Sequence, residues 1–354
     1  KLEPKIPEWE SRKWFPNSVF KDLGELGITG IIIPPEFGGL GLTKLESLKW
    51  CEVFGEATSL GLTVGTCMSF LVSANAIMSF GTPQQKSFFL PKIASGELIF
   101  AYAFTEPSAG SDLRAISTRA ELLNDCFFLN GEKTFITNGA RADYFLVFAR
   151  YGSDYNVFIA HRDQAQIVSK IDKLGWLCSD TAILNFRNSK CEMLGSKSGE
   201  GWHQVAVSLA YERLVLSALG IGLVRSGVEE TVRFAETRKF KNRSLSSIPL
   251  FKNFVSSVRS KISLFSTLIS IASSRDDLVF SSALKAYVCD FLMQIADQLL
   301  QFHGGYGYTT DYKIERIWRD LRLLPIGGGA REPLYHYTFR KIQKRHLENI
   351  VLPK

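Results

Sequence analysis

The hydrophobic period of this chain changes twice along its length, and that change limits its fold more than any other feature. From Pro16 to about Gly96 the apolar residues recur at helical spacing, broken by Pro-Pro-Glu-Phe-Gly-Gly-Leu-Gly at 34–41 and by Gly81-Thr82-Pro83. Between about 100 and 194 the pattern becomes short runs rich in Phe, Tyr, Ile and Val, such as CFFLNGEKTFIT and YFLVFAR, separated by turn residues. After Gly201 the helical period returns through residues 202–239, 250–273, 276–303 and 312–319, as a helical bundle requires. The expected fold is therefore α+β in three parts: an N-terminal helical domain over 1–98, a central β domain over 99–197 and a C-terminal four-helix bundle over 198–354.

Local signals sharpen this outline. Thr82 is an N-cap with Pro83 at the first helical position and Gln85 at the third, and the helix they start stops near Gly96. Asn130-Gly131, between two strand-like runs, predicts a hairpin, and Asn138-Gly139 a second turn. No internal repeat or long linker interrupts the chain.

With 354 residues, 45% of them hydrophobic and 22% charged, the chain can bury a large core. The net charge of +7 is dispersed apart from a short basic run at 340–345, and no zinc-finger, RRM or KH pattern accompanies it, so nucleic acid is not an expected partner. Six scattered cysteines lack metal-ligand spacing and suggest a reduced compartment. The apolar stretch 262–272 falls short of the roughly 20 residues that span a bilayer and reads as a buried helix, so no membrane span is expected. The opening residues KLEPKIPEWESRKW have neither the apolar core of a signal peptide nor the acid-free bias of a transit peptide, and cytoplasm or mitochondrial matrix is the expected location.

Nucleotide-binding fingerprints are missing from the sequence. Gly220-Ile-Gly222 lies inside a helical pattern, lacks a third glycine and reads as close helix packing. Other segments carry the chemistry. Tyr102-Ala-Phe-Thr-Glu-Pro-Ser-Ala-Gly-Ser-Asp112 runs from a strand into a glycine-containing turn, where Thr105 and Ser111 offer hydrogen bonds. Gly131-Glu-Lys-Thr-Phe-Ile-Thr-Asn-Gly139 follows, then Leu174-Gly-Trp-Leu-Cys-Ser-Asp-Thr181. Last comes Gln301-Phe-His-Gly-Gly-Tyr-Gly-Tyr-Thr-Thr-Asp311, continuing to Ile314-Glu-Arg-Ile-Trp-Arg-Asp320.

In order and spacing these four segments resemble the signatures of the acyl-CoA dehydrogenase family, and the resemblance covers the chain from Pro16 to Lys341. It implies FAD as cofactor, an acyl thioester as substrate, fatty acid metabolism as the setting and a homo-oligomer, usually a tetramer and sometimes a dimer. By the same resemblance Tyr102, Phe104, Thr105, Ser111, Phe135, Ile136 and Thr137 face the flavin, Phe135 by stacking and Thr137 by hydrogen bonding. Arg238 meets the pyrophosphate of a neighbouring subunit's FAD, and Gln301, Gly304 and Gly305 lie near that neighbour's cofactor. Ala330 and Glu332 match further cofactor positions, while Ser111, Arg213, Gly328 and Gly329 fall beside the substrate. His303 stands where the family usually has an apolar or variable residue.

The chemistry requires a carboxylate that removes the acidic α-proton of the thioester as the β-hydride moves to flavin N5. Many family members carry it in a Tyr-Glu-Gly-Thr sequence, but the matching stretch here is Pro325-Ile-Gly-Gly-Gly-Ala330, with Gly328 at the position of the base. A branch resembling isovaleryl- and long-chain acyl-CoA dehydrogenases and carrier-protein acyl dehydrogenases places the base on a bundle helix in Glu-Arg-Leu. This chain has Ala210-Tyr-Glu-Arg-Leu214. A Glu-Arg pair on a helix is ordinarily a solvated ion pair, yet its coincidence with a glycine at the usual site favours Glu212 as base and Arg213 as the adjacent cation.

Lys241 and Asn242 replace the family's Phe and Gly after Arg238, Pro249 stands where a cofactor-contacting Gln is common, and Ala330 replaces a threonine. These departures motivate a rival reading, a flavin-binding scaffold or partner subunit that no longer dehydrogenates. A carrier-protein acyl dehydrogenase or an enoyl-thioester reductase is a further alternative. For the leading reading, electrons pass to an electron-transfer flavoprotein or similar acceptor.

Overall fold

The computed structural model describes residues 2–275 and 277–350, the side chains of 344–350 excepted. The side chains at the end of the basic run at 340–345 are among those excepted, and the helix start expected at Asp276 lies outside the described residues. By its contacts the chain divides into two compact units, one made of residues up to Ser47 with Gly61–Glu212, the other of Leu48–Leu60 with the chain from Arg213 on.

The first unit opens with helices α1 (Ile6–Ser11) and α2 (Ser18–Glu25) and the start of α3 (Lys44–Ala57). Helix α4 (Leu60–Cys67) passes through a π-helical turn, Met68–Ser73, into α5 (Ala74–Phe80), and α6 (Pro83–Ala94) follows. The cap of α6 forms as predicted: the Gln85 N–H donates to Thr82 Oγ1 at 3.2 Å, and the Thr82 N–H to Gln85 Oε1 at 3.0 Å. The stop at Gly96 has a steric cause, since its φ is +71° and a Cβ there would lie 2.0 Å from the Phe20 carbonyl oxygen.

Seven strands follow: β1 (Phe100–Ala103), β2 (Arg119–Leu123), β3 (Cys126–Thr137), β4 (Tyr144–Tyr151), β5 (Asp154–His161), β6 (Gln166–Lys170) and β7 (Thr181–Met193). Strands β4, β2, β3, β7 and β5 pair in that order, and β5 pairs back to β4, which closes the ring; β1 joins at β4 and β6 at β7. Closure leaves few open strand edges. Phe145, Phe148, Phe158 and Phe186 fill its core.

The hairpin expected at Asn130-Gly131 is absent, and β3 runs straight through it. The turn sits earlier, at Asn124-Asp125, whose φ values of 47° and 60° suit a tight two-residue connection from Leu123 to its partner Cys126. Gly131 serves close approach instead: a Cβ there would meet Thr118 Oγ1 at 2.3 Å, and the β3–β7 register shifts between Leu129 and Gly131. Asn138, with φ of 61°, does make the second turn.

Helix α7 (Gly201–Thr237) belongs to the first unit as far as Glu212 and then to the second. The short hairpin β8 (Lys239–Phe240) and β9 (Arg243–Ser244) precedes α8 (Pro249–Ser273), α9 (Leu278–His303), α10 (Ile314–Arg322) and α11 (Arg331–Ile350). Within this unit α9 packs against α8, α10 and α11. Gly222 has the packing role expected of it, because a Cβ there would lie 2.0 Å from the Glu52 carbonyl oxygen of α3.

The helix over 262–272 is one-sided. Ile262, Phe265, Ile269 and Ala272 are buried at helical spacing, whereas Leu264 and Ile271 are exposed. Among the described residues three helical stretches are long and apolar enough, by length and composition alone, to cross a membrane: Leu60–Phe80, Gly201–Thr237 and Leu278–Tyr308. Their most apolar windows are 94%, 83% and 50% buried inside the protein, so much of that apolar surface forms core.

Candidate active site

In the first unit the two expected flavin segments are fastened to each other. The Thr134 N–H donates to the Thr105 carbonyl at 2.9 Å. Beneath this contact lies a fully buried ion pair that was not read from the sequence. Lys133 Nζ donates to Glu106 Oε1 at 2.8 Å, to the Phe104 carbonyl at 3.0 Å and to the Phe148 carbonyl at 2.7 Å. The Glu106 carboxylate also accepts from the Ser117 N–H at 2.6 Å, the Ser117 hydroxyl at 2.8 Å and the Thr118 N–H at 3.0 Å. Burial works to raise the Glu106 pKa, but the Lys133 charge and these donors overcome it and hold the carboxyl at about 2. The signal for the pair was a lysine at an inward position of an apolar strand, which is rare unless a counter-charge waits inside.

The pin sets the shape of the loop above it. Thr105 is half-buried and Ser111 is exposed. Phe135 has φ of 58°, costly for a bulky residue, and lies within the β3–β7 register shift between Lys133 and Ile136. Its ring is 65% exposed as a result. Thr137 is half-buried at the end of β3. Phe104 and Ile136 are core side chains, so what they can offer a ligand is main chain. Tyr102 on β1 has a buried hydroxyl with no hydrogen-bond partner. Burial first, then the charge of Glu212, pushes that phenol above its usual range against an opposing contribution from Ser208. Glu212 itself is half-buried on α7.

A second pin holds the segment 174–181. Arg141 pairs with Asp180 and donates to the Phe15 carbonyl at 2.9 Å, while Asp180 accepts from the Ala140 N–H at 2.7 Å. The Asn138 N–H donates to the Asp180 carbonyl at 3.2 Å, so the turn that ends β3 is fixed by the same segment.

In the second unit, Arg213 is buried and donates to the Gly328 carbonyl at 3.0 Å and to Ser282 Oγ at 2.6 Å. Lys285, fully buried on α9 and also missed in the sequence, donates to the Gly329 carbonyl at 2.6 Å. Gly328 and Gly329 have φ of 66° and 106°, so this loop needs its glycines for conformation. Ala330 is half-buried, and Glu332 is exposed and bonded to Arg331 at 2.9 Å.

Elsewhere in this unit Arg238, Lys239, Gln301, Gly304 and Gly305 line a cavity of about 550 Å³. Four of these five were expected near a cofactor, and the structure brings them together. His303, which also lines it, is tied through one nitrogen: its Nδ1 is 2.9 Å from the Leu299 carbonyl, its ring stacks on Phe234 at 4.4 Å, and burial lowers its pKa, while its Nε2 is buried with no hydrogen-bond partner among the described residues. A neutral ring bonded to its own helix has the character of a packing group.

The residues present fit FAD. At Gly304 and Gly305 a Cβ would meet nothing within 4 Å, so bare main chain faces open space beside two cations and an amide, a donor set suited to a diphosphate. The exposed Phe135 ring and the half-buried Thr105 and Thr137 offer a flat apolar surface edged with hydroxyls.

Fold and site together define an acyl-CoA dehydrogenase, and the chain belongs to that family of FAD-dependent oxidoreductases acting on CH–CH bonds. The family's N-terminal domain matches residues 1–97, its middle domain 101–189 and its C-terminal domain 199–338. The chain is similar to the 3-(aryl)acrylate reductase of Clostridium sporogenes, with 30% identity over 94% of this chain and 91% of that protein. It is also similar to the mitochondrial isovaleryl-CoA dehydrogenase of Pongo abelii, with 29% identity over 94% and 82%. The solved butyryl-CoA dehydrogenase of Megasphaera elsdenii superposes with a TM-score of 0.91 at 26% identity, covering 97% of this chain and 94% of that one.

Proposed function

We propose that this chain oxidises an acyl thioester, as acyl-CoA, between its α and β carbons, with Glu212 as the base. One observation carries the reading. The loop at 325–330 holds three glycines and no carboxylate, whereas Glu212 stands half-buried in the same compact unit as Thr105, Ser111, Phe135 and Thr137. FAD, when bound, supplies the hydride acceptor for the β-carbon. Glu212 takes the α-proton, and partial burial keeps water from competing for its carboxylate. The Lys133–Glu106 pin holds Thr105 and the neighbouring main chain where they can orient ligands. Arg213 and Lys285 fix the glycine loop through its carbonyls. Arg238 and Gln301 serve the cofactor of a second copy, so the working form is a homo-oligomer, and an electron-transfer flavoprotein or similar protein in the cytoplasm or mitochondrial matrix takes the electrons.

The kinship with an acrylate reductase favours a second reading, reduction of an enoyl thioester, in which Glu212 delivers the proton to the α-carbon. Anaerobic titration of purified protein with acyl-CoAs of graded length and branching separates the readings. Bleaching of the flavin band supports dehydrogenation. Reoxidation of the reduced protein by enoyl-CoA, with no bleaching by any acyl-CoA, assigns the second reading. A yellow protein inert to both is a scaffold.

A further inference from the structure

A second cavity lies in the first unit and is lined by none of the residues assigned to flavin or thioester. It encloses about 130 Å³ between the end of α1 and the link that joins β6 to β7. Backbone bonds fasten these segments. The Phe15 N–H donates to the Cys178 carbonyl at 3.1 Å, and the Ile171 N–H to the Thr181 carbonyl at 2.8 Å. Just past α1, Lys13 has φ of 51°, a conformation costly for a residue with a Cβ, and this turn carries Arg12, Lys13 and Trp14 to the cavity wall. Lys170, Asp172, Lys173 and Asp180 line it from the other segment.

The charges around this space are not all matched. Asp180 pairs with Arg141, which lies outside the lining, and Lys13 donates to Asp172 at 2.6 Å. Arg12 meets Glu8 at 3.0 Å on the exposed side, and the buried Glu10 accepts from the Cys178 N–H at 3.0 Å. Two lysines stand apart from this pattern. The exposed Lys170 holds its ammonium 4.4 Å from the centre of the Trp14 ring, the half-buried Lys173 donates to the Ser179 carbonyl at 2.7 Å, and neither forms an ion pair among the described residues. Burial lowers the Lys173 pKa, and the charges of Asp180, Cys178, Glu10 and Asp172 do not offset it. An ammonium in that state gains from an anion that enters beside it.

We propose that this cavity binds a phosphate-sized oxyanion, held by Lys170 and Lys173 with Arg12 and Lys13 beside them. At about 130 Å³ it is too small for a nucleotide or an acyl thioester, since ligand sites of that kind start at about 300 Å³. Four cations from two chain segments suit a ligand with acceptor oxygens on several sides, which a tetrahedral phosphate has and a planar carboxylate lacks. That chemistry has two sources, the free ion and a small phosphomonoester. A bound anion ties residues 12–14 to the link before β7, and that link already fixes the Asn138 turn at the end of β3 through Asp180. Binding therefore stabilises the first unit, whichever residue serves as the base.

The test uses FAD-loaded protein, so that the cavity edged by Arg238 is filled. Calorimetric binding and the thermal midpoint are read as inorganic phosphate or glycerol 2-phosphate replaces chloride at constant ionic strength. The expected result is saturable binding with a Kd of about 1 mM or tighter, and a midpoint raised by about 2 °C at roughly ten times that concentration. Equal affinity for the two probes assigns a phosphomonoester, a preference for phosphate assigns the free ion, and both uphold the site. Lys170→Glu reverses a charge at an exposed position and should weaken binding about tenfold or more with flavin content unchanged, and Lys173→Gln should weaken it about fivefold or more. Should Lys173→Gln fail to fold, Lys170→Glu decides alone. Phosphate that stabilises the parent no more than chloride does, or that binds Lys170→Glu as tightly as the parent, overturns the proposal.

Discussion

At the scale of single residues, the buried Glu106–Lys133 pair anchors the loop that follows β1, and it has a pH signature. The Glu106 carboxyl is held at about 2, below the roughly 4.3 of an unstructured glutamate. A folded-state pKa below the unfolded value contributes stability that is present above about pH 4.3 and is lost as pH falls toward 2. Denaturant melts should therefore weaken progressively across that window. Glu106→Gln should be destabilised at neutral pH by about 3–5 kcal/mol, because Lys133, whose pKa burial lowers to about 8 even beside its counter-ion, must then either hold an unpaired charge in a dry interior or give up its proton, and should lose much of the acid dependence. A Glu106→Gln protein that melts like the parent at pH 7 removes the pin from the account.

The resemblance of four sequence segments to a known family named candidate site residues before any geometry. Arg238, Gln301, Gly304 and Gly305 do surround one cavity. The partners of individual charges were not legible. Lys133 finds Glu106 27 positions away, and Lys285 finds Gly329 44 positions away, so no local pattern could name either.

At the scale of elements, period was a sufficient guide wherever an element has one apolar face. The capping box at Thr82 appears in full, and α8 begins and ends within a residue of its expected bounds at 250–273. Turn chemistry misled where a glycine had another purpose. Asn130-Gly131 satisfies a hairpin's local preference, but β3 pairs with β7 through it, and the glycine is needed because Thr118 lies against its backbone. Long-range pairing outweighed local propensity there. A helix buried on most sides carries the same composition as one that spans a bilayer, and only the packing tells them apart. Phe135 is the element-scale feature on which the proposed cofactor contact most depends. A positive φ at a register shift is how an aromatic ring in the middle of a strand comes to stand exposed.

At the scale of the whole molecule, the cavity edged by Arg238 and Gln301 and the exposed stripe of Tyr335, Phe339 and Ile342 on α11 point toward self-association. The expected particle is a dimer or tetramer with one FAD per chain, measured by light scattering with flavin absorbance. A monomer fully loaded with FAD contradicts the shared-site arrangement.

The central claim is that the proton leaves the substrate to Glu212 and to no other group. Glu212→Gln preserves size and hydrogen bonding while removing the basic carboxylate, so folding and FAD content should survive, and Glu332→Gln, exposed and bonded to Arg331, serves as the control. If one positioned base supplies about 4 kcal/mol of transition-state stabilisation, flavin reduction by an acyl-CoA that the parent accepts should slow roughly a thousandfold in anaerobic stopped flow. Glu332→Gln should keep the parent rate. Reduction of Glu212→Gln at a rate within a few fold of the parent would contradict the account.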